Sequence, residues 1–356
     1  MRIGIIGGGQ LGMFLALQAY EMGHESIVYD CKADCCAKTI ASKFYLGSFD
    51  DEEKLEEFAK ECDVITYEFE NINSAIVKKL ATKYPILQKE HPLVIASSRY
   101  NERMMANKLQ IRQPRWQLIK NKVDLKKIEL NYPYLLKSIS LGYDGKGQYL
   151  IKEANDLEQV SFNNKVEYLA EEMITFDYEM SLIAIRSLTN EYAIYEPFYN
   201  IHHQGILNIT LIDEDIPTKV VTQAKEAIQK IMDQEAIYGI LCCEFFVKDD
   251  VVYFNEMACR PHNSGHITMD THYVSQYENH LRALLGLPLG TTAIKTNGFM
   301  VNVLGQDTKQ LTTYLSDNYA YSKYYDYHKE PRDNRKIGHL VVFDKNKLNY
   351  FKKEWR

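Results

Sequence analysis

The 356-residue chain is long enough for two or three domains with a large core, and its 46% apolar and 25% charged residues are ordinary for a globular protein. Its net charge of −6, without a Lys/Arg run that alternates with aromatic residues, argues against nucleic acid as the main partner. No apolar stretch approaches the ~20 residues of a membrane span. Met1 leads directly into a strand without a signal peptide, so we expect no membrane association.

The seven cysteines show no paired C-x-x-C spacing, and Cys242 and Cys243 lie in an apolar strand. This pattern favours core thiols in a reducing cytosol over a zinc site at Cys31, Cys35 and Cys36. We therefore expect a cytoplasmic protein.

The amino terminus reads as a βαβ unit. A strand at residues 3–6 is followed by a tight turn, Gly7 to Gly12, and by a helix that ends at Gly23. With Asp30 near the end of the second strand, this is formally the dinucleotide-binding fingerprint. The motif by itself indicates only that N–H groups at a helix start can meet an anion, most often a phosphate.

A strand is predicted for residues 63–70. Its period of two places Glu68 and Glu70 on one side near the carboxyl end, where open α/β sheets bind ligands. They could be simple edge carboxylates. A parallel sheet is normally apolar on both faces, however, which favours a functional interpretation.

In the middle of the chain, one segment gives little indication of function and the next indicates phosphate binding. Arg99 and Arg103 in a polar helix at residues 92–110 are typical of a solvated face. A strand holding Lys137 leads into a loop, residues 142–148, with three glycines. Its backbone can close on phosphates while the lysine supplies a positive charge. Because the loop joins two strands, it is not a P-loop.

A strand at residues 166–174 can bond a purine through its backbone, and further strand pairs and two helices predict an α+β layer. The strongest local signal is a hairpin at residues 240–255 that turns at Asp249 and Asp250. Its register places Glu244 opposite Glu256. Two facing carboxylates repel each other, and a Mg²⁺ ion that also binds substrate phosphates removes that repulsion. The alternative is two exposed glutamates facing water.

The loop after this hairpin cannot be regular because Pro261 and Gly265 interrupt it. It is crowded with ligand-type side chains: Arg260, His262, Asn263, Ser264 and His266. Guanidinium, imidazole and amide donors beside a metal suit the binding of a small oxyanion.

Taken together, five segments resemble the ATP-grasp ligases, and among them the N5-carboxyaminoimidazole ribonucleotide synthase family. They are I-I-G-G-G-Q-L-G at 5–12, D-V-I-T-Y-E-F-E-N at 63–71, G-Y-D-G-K-G-Q at 142–148, N-E-M-A-C-R-P-H-N-S-G-H at 255–266 and R-K-I-G-H at 335–339. They span nearly the whole chain in the family's order.

The resemblance implies an α/β and α+β fold with three domains: a Rossmann-like amino-terminal domain (1–91), a central ATP-grasp domain (92–290) and a small β-rich carboxyl-terminal domain (291–356). It implies an ATP-dependent ligase of purine biosynthesis. ATP phosphorylates bicarbonate to carboxyphosphate, and the amine of 5-aminoimidazole ribonucleotide captures the resulting carbonyl carbon or CO₂, with ADP and phosphate as the other products. The family is commonly dimeric, so a homodimer is expected.

The resemblance also assigns site residues by motif. ATP would be held by Arg99, Lys137, Gly142, Tyr143, Asp144, Gly145, Lys146, Gly147, Gln148, Glu171, Glu172, Met173, Ile174, Glu179, His202, Asn255 and Glu256. Mg²⁺, or Mn²⁺ in its place, would be held by Glu244 and Glu256. The ribonucleotide would be held by Gln10, Leu11, Glu68, Tyr143, Asp144, Arg335 and Lys336. Bicarbonate would meet Arg260, His262 and Asn263, and catalysis is assigned to these three with Asp144 and Lys146.

Two alternatives remain. A different ATP-grasp ligase, such as a formate-dependent glycinamide ribonucleotide transformylase, would share the nucleotide site but differ at the oxyanion loop. A nicotinamide-dependent oxidoreductase would use the turn from Gly7 to Gly12, but it would leave the hairpin and the loop after it without a role.

Overall fold

The computed structural model describes residues 1–139, 147–160, 167–212 and 215–355, and their strands form three sheets. Among the helices within these ranges, none has the length and hydropathy that a membrane crossing requires.

The amino-terminal unit is a parallel sheet in the order β3-β2-β1-β4, flanked by helices. Its elements are β1 (Arg2–Ile6), α1 (Gln10–Glu21), β2 (Glu25–Asp30), β3 (Lys43–Leu46), α2 (Glu52–Lys60), β4 (Val64–Tyr67) and α3 (Ser74–Ala81). Ile3 and Ile5 of β1 are fully buried, as expected for a parallel sheet covered on both faces. Because β4 ends at Tyr67, Glu68 and Glu70 follow its carboxyl end.

Two helices, α4 (His91–Ala96) and α5 (Arg99–Lys108), replace the single helix predicted for residues 92–110. The break occurs at Ser98, whose backbone is extended, with φ −139° and ψ 111°. The Ser98 hydroxyl accepts the N–H of Asn101 at 3.4 Å. A serine at this position caps a new helix rather than continuing the previous one.

A second unit is an antiparallel sheet in the order β5-β8-β6-β7. Its elements are β5 (Trp116–Ile119), α6 (Lys122–Leu125), β6 (Tyr134–Ser138), β7 (Gln148–Ile151) and β8 (Tyr168–Glu172). Leu136 and Ala170, paired across β6 and β8, are both fully buried and lie in the core of this unit.

The largest sheet has nine strands within the described residues, in the order β14-β13-β9-β11-β12-β15-β17-β16 with β10 paired to β9. Its strands are β9 (Tyr178–Arg186), β10 (Tyr192–Ile194), β11 (Phe198–His203), β12 (Ile206–Leu211), β13 (Gly239–Lys248), β14 (Val251–Ala258), β15 (Phe299–Leu304), β16 (Ser322–Asp326) and β17 (Lys336–Val342). The accompanying helices are α7 (Thr218–Gln234), α8 (Thr268–Thr271), α9 (Gln276–Leu284), α10 (Thr308–Asn318) and α11 (Leu348–Glu354). Since β12 pairs with β15, the sheet continues past residue 290, where the carboxyl-terminal domain is predicted to begin.

A buried aromatic cluster joins these parts. The His339 ring on β17 stacks on the His266 ring at 4.7 Å between centroids and an interplanar angle of 4°. Phe14 of α1 contacts both rings edge-on. The amino-terminal unit, the loop after β14 and the carboxyl-terminal strands therefore share one packed core.

Candidate active site

One cavity of about 1610 Å³ lies where the amino-terminal unit, the two antiparallel sheets and the segment before β17 meet. Most of the described residues predicted for the site line it: Gln10, Leu11, Glu68, Arg99, Lys137, Gln148, Glu179, His202, Glu244, Asn255, Glu256, Arg260, His262, Asn263, Arg335 and Lys336. Gly142, Tyr143, Asp144, Gly145 and Lys146 lie outside the described residues. Gly147 and the four residues Glu171, Glu172, Met173 and Ile174 are described but do not line the cavity.

The hairpin of β13 and β14 has the predicted register, with Glu244 directly opposite Glu256. Asp249 and Asp250 both have positive φ, 50° and 55°, as a two-residue turn of this type requires. The register shifts beyond Glu244, which leaves Asn255 as the additional residue of a β-bulge. Asn255 and Glu256, although consecutive, consequently both line the cavity, together with Glu244.

A basic side chain lies beside each of the two hairpin carboxylates. His262 Nε2 lies 3.2 Å from Glu244 Oε1. Burial by itself would raise the pKa of Glu244, but the bond to His262 and its charge outweigh burial and lower that pKa to about 2. Arg99 Nη2 lies 3.9 Å from Glu256 Oε2. Each of the facing acids thus has a basic side chain beside it in the same cavity.

A hard divalent cation fits this donor set. Two carboxylates from adjacent strands, with phosphate oxygens from a substrate, are a usual set of Mg²⁺ ligands. In the part of the chain that the structure describes, no group of three or more His, Cys, Asp or Glu side chains is arranged for a metal. Glu244 and Glu256 could thus hold such a cation together with the oxygens of a bound phosphate.

Arg103 is not on a solvated face. It is 1% exposed, and its Nε donates to Glu171 Oε1 at 2.8 Å, while Lys137 Nζ lies 2.6 Å from Glu171 Oε2. Burial acts to raise the pKa of Glu171, but these two cations hold it well below its usual range. The side chain of Glu171 thus points toward Arg103 and Lys137. Of these three residues, Lys137 lines the cavity.

A second acid and base pair lies on neighbouring strands. His202 on β11 hydrogen-bonds Glu179 on β9. Burial acts to lower the pKa of His202, but the bond to Glu179 and the charge of Glu244 raise it overall. The imidazole and carboxylate therefore form a charge-balanced patch of the cavity wall beside the hairpin.

The loop after β14, residues 259–266, is anchored at His262, while the amide of Asn263 lacks a partner within the ranges that the structure describes. The His262 N–H donates to Gln276 Oε1 at 2.9 Å. Asn263 is 9% exposed, and neither its amide nitrogen nor its amide oxygen has a hydrogen-bond partner among the described residues. A buried, unpaired amide is costly unless a ligand satisfies it, so this loop suits a small polar substrate.

At the amino-terminal turn, carboxylates already occupy the groups that a dinucleotide would use. The Gly8 N–H donates to Asp30 Oδ2 at 2.6 Å, and the Gly9 N–H donates to Glu68 Oε1 at 2.7 Å. Burial raises the pKa of Glu68. Gly7 has φ +102°, and a Cβ there would lie 2.7 Å from Glu68 Oε1. The turn is shaped around Glu68, which argues against a bound pyrophosphate.

Sequence reasoning missed several residues that line the cavity, among them Lys329 and Glu102. Lys329 Nζ donates to Gln10 Oε1 at 2.6 Å, and burial lowers the pKa of Lys329. Glu102 of α5 accepts the Met257 N–H at 2.7 Å. Proximity in sequence to Arg335 could have suggested Lys329, whereas the polar helix around Glu102 carries no signal of burial.

Three family profiles match successive parts of the chain. Residues 1–97 match the profile of the ribonucleotide synthetase preATP-grasp domain, residues 104–277 that of the ATP-grasp domain, and residues 298–351 that of the phosphoribosylaminoimidazole carboxylase C-terminal domain. These matches confirm the predicted fold class. The exact domain limits remain predictions.

Similar proteins cover nearly the whole chain. The N5-carboxyaminoimidazole ribonucleotide synthase of Brucella melitensis is 36% identical over 345 residues, 95% of each chain. That of Aquifex aeolicus is 35% identical over 353 residues, 98% of this chain and 93% of the relative. The crystal structure of N5-carboxyaminoimidazole synthetase from Staphylococcus aureus complexed with ADP has a TM-score of 0.93 and 33% identity, covering 99% of this chain and 96% of that chain.

Proposed function

The chain belongs to the N5-carboxyaminoimidazole ribonucleotide synthase family of ATP-grasp ligases, and we propose how its own residues serve that reaction. It is an ATP-dependent ligase of purine biosynthesis that carboxylates 5-aminoimidazole ribonucleotide. One observation carries the assignment of residues: the paired acids Glu244 and Glu256 face the same cavity as Gln10 and Glu68 of the amino-terminal unit.

The nucleotide end of the cavity is formed by the two antiparallel sheets. Lys137 and Arg99 supply positive charge for the triphosphate, and Asn255, Glu179 and His202 contact the nucleotide. On the family motif we also assign to the nucleotide Gly147, Gln148 and, at the end of β8, Glu171 to Ile174. The motif includes residues 142–146 too, which lie outside the described part of the chain. Glu244 and Glu256 would hold Mg²⁺, or Mn²⁺ in its place. When bound, such a cation neutralises charge that develops on the transferred phosphoryl group.

The oxyanion loop places bicarbonate beside the γ-phosphate. Arg260 neutralises its charge, and the amide of Asn263, unpaired in the described part of the chain, hydrogen-bonds one of its oxygens. His262, whose ring bonds Glu244 and Ser264, is assigned to bicarbonate on the family motif. A bicarbonate oxygen attacks the γ-phosphorus, ADP leaves, and carboxyphosphate forms. The amine nitrogen of the ribonucleotide then bonds to the carboxyl carbon, or to CO₂ released from it, and phosphate leaves. Asp144 and Lys146 are proposed to assist from outside the described residues.

The ribonucleotide end lies between α1 and the segment before β17. Gln10, Leu11 and Glu68 contact the substrate from the amino-terminal unit, and Tyr143 and Asp144 are assigned on the family motif. Arg335 and Lys336 offer its phosphate a cationic anchor. Lys329, bonded to Gln10, adds a third positive group at this end. A homodimer in the cytoplasm completes the proposal.

The deciding assay is ATP hydrolysis by the purified full-length chain with Mg²⁺. We expect hydrolysis to require both 5-aminoimidazole ribonucleotide and bicarbonate. Activity that ignores bicarbonate would rule the proposal out, and activity with formate and glycinamide ribonucleotide would favour the related transformylase.

Thermal unfolding separates the ligase from a nicotinamide-dependent oxidoreductase. Mg²⁺–ATP should raise the melting temperature because it binds only the folded state. NAD should leave it unchanged, since Asp30 and Glu68 already bond the glycine turn.

A further inference from the structure

We propose that Glu70, from the amino-terminal unit, is a positioning residue that fixes the guanidinium of Arg260 for bicarbonate. The inference rests on the proposed function, because it assumes that Arg260 meets the oxyanion. Glu70 and Arg260 are 190 residues apart in sequence, yet both line the cavity.

The contact is an ion pair with one hydrogen bond. Arg260 Nε lies 3.3 Å from Glu70 Oε1, and Arg260 Nη2 donates to Glu70 Oε2 at 3.4 Å. The remaining terminal nitrogen, Nη1, donates to the Pro261 carbonyl at 3.1 Å. A planar guanidinium held along two edges has its orientation set, and each terminal nitrogen keeps a further N–H for an anion.

The backbone at this point is also fixed by the amino-terminal unit. Gln88 Nε2 donates to the carbonyl of Cys259, the residue before Arg260, at 2.7 Å. Gln88 Oε1 in turn accepts from the Thr66 hydroxyl of β4 at 2.8 Å, and both side chains are buried. The amino-terminal unit therefore holds Arg260 both at its main chain and at its side chain.

Electrostatics argue that the role of Glu70 is geometric. A carboxylate beside a cation weakens that cation's attraction for an anion, so charge alone would favour a neutral residue here. Burial raises the pKa of Glu70, and the charge of Arg260 opposes that rise. What the carboxylate contributes is an acceptor for Nη2, with its second oxygen close to Nε, and this contact orients the guanidinium.

The test compares Glu70→Ala and Glu70→Gln in the full-length enzyme by steady-state ATP hydrolysis at varied bicarbonate and varied ATP. We expect Glu70→Ala to raise the KM for bicarbonate roughly 10- to 100-fold, as for loss of a charge-assisted bond. The KM for ATP should stay within about twofold, because Arg260 is not assigned to the nucleotide. Glu70→Gln keeps one acceptor oxygen, so it should restore part of the bicarbonate affinity.

Glu56→Ala is the matched control, since it removes a carboxylate that pairs with Lys83 at 2.9 Å in the same unit, away from the cavity. It should leave both KM values unchanged. In an Arg260→Lys background, Glu70→Ala should have no further effect on the KM for bicarbonate.

An unchanged or lower KM for bicarbonate in Glu70→Ala would overturn the inference, as would equal rises for bicarbonate and ATP. If Glu70→Ala does not fold, the comparison of Glu70→Gln with wild type decides, and no rise there refutes the proposal. A wild-type enzyme that hydrolyses ATP without regard to bicarbonate would instead refute the proposed function itself.

Discussion

Glu171→Gln should destabilise the protein far more than a substitution at its neighbour. Glu171 is 1% exposed and lies between Arg103, also 1% exposed, and Lys137, 7% exposed. Removing one partner of a buried ion pair typically costs ~3–5 kcal/mol, because the remaining charge stays buried without compensation. Glutamine keeps an acceptor oxygen, so we expect the lower end, about 3 kcal/mol. In a folding unit of roughly 150–250 residues, each kcal/mol shifts the melting temperature by roughly 2–4 °C, so the melting temperature should fall by about 6–12 °C.

The matched control is Glu172→Gln, one residue along β8. Its partner Arg115 is 61% exposed and Glu172 is 36% exposed. Exposed pairs contribute ~0–1 kcal/mol and are screened by salt, so this variant should lose at most about 4 °C, and less in 0.5 M NaCl. Thermal unfolding by circular dichroism without nucleotide measures both. If Glu171→Gln loses no more than Glu172→Gln, or recovers equally in salt, the buried-charge argument is wrong.

Three further predictions concern the hairpin and two buried titratable groups. Glu256→Gln should abolish the rise in melting temperature that Mg²⁺–ATP causes. It should change the stability without nucleotide little, since Glu256 is 46% exposed. The control Asp250→Asn, at the hairpin turn, should retain the full rise. Burial, followed by the charge of Glu256, raises the pKa of Glu102 to about 8. Folding therefore favours the protonated form of Glu102, and the stabilisation that this form gives is lost as the pH rises from about 4.5 through 8. Between pH 5.5 and 8.5 the melting temperature of Glu102→Gln should rise relative to that of wild type. A difference in melting temperature that stays constant would contradict this. Burial lowers the pKa of His339 to about 3. The neutral ring therefore contributes its full stabilisation above about pH 6.5, and this stabilisation is lost as the pH falls toward 3. Between pH 7 and 5, His339→Phe should lose less stability than wild type, and an equal loss would contradict this.

Local chemistry explains why the hairpin could be predicted well. Asp249 and Asp250 join the two strands directly. The turn residues and the alternation of side chains along each strand therefore set the pairing of Glu244 with Glu256. The bulge at Asn255 could not be predicted in this way, because no distinctive residue marks it.

Helix α5 shows where local patterns are insufficient. Its polar sequence is that of a solvated helix, yet Glu102 and Arg103 are both buried. Arg103 pairs with Glu171, which is 68 residues away, and Glu102 accepts a backbone N–H of β14. A helix can bury charges only where another part of the chain supplies their partners, and that supply is not visible within the helix.

The sequence by itself determined the amino-terminal βαβ unit with its turn, the facing hairpin acids and, through its motifs, the family. Those features depend on neighbouring residues, whose spacing is written directly in the chain. Only the tertiary structure decided which charges are buried, that Glu68 rather than a pyrophosphate bonds the Gly9 N–H, and that Glu70 meets Arg260. These depend on contacts between distant segments, where burial and charge pairing are settled together by packing.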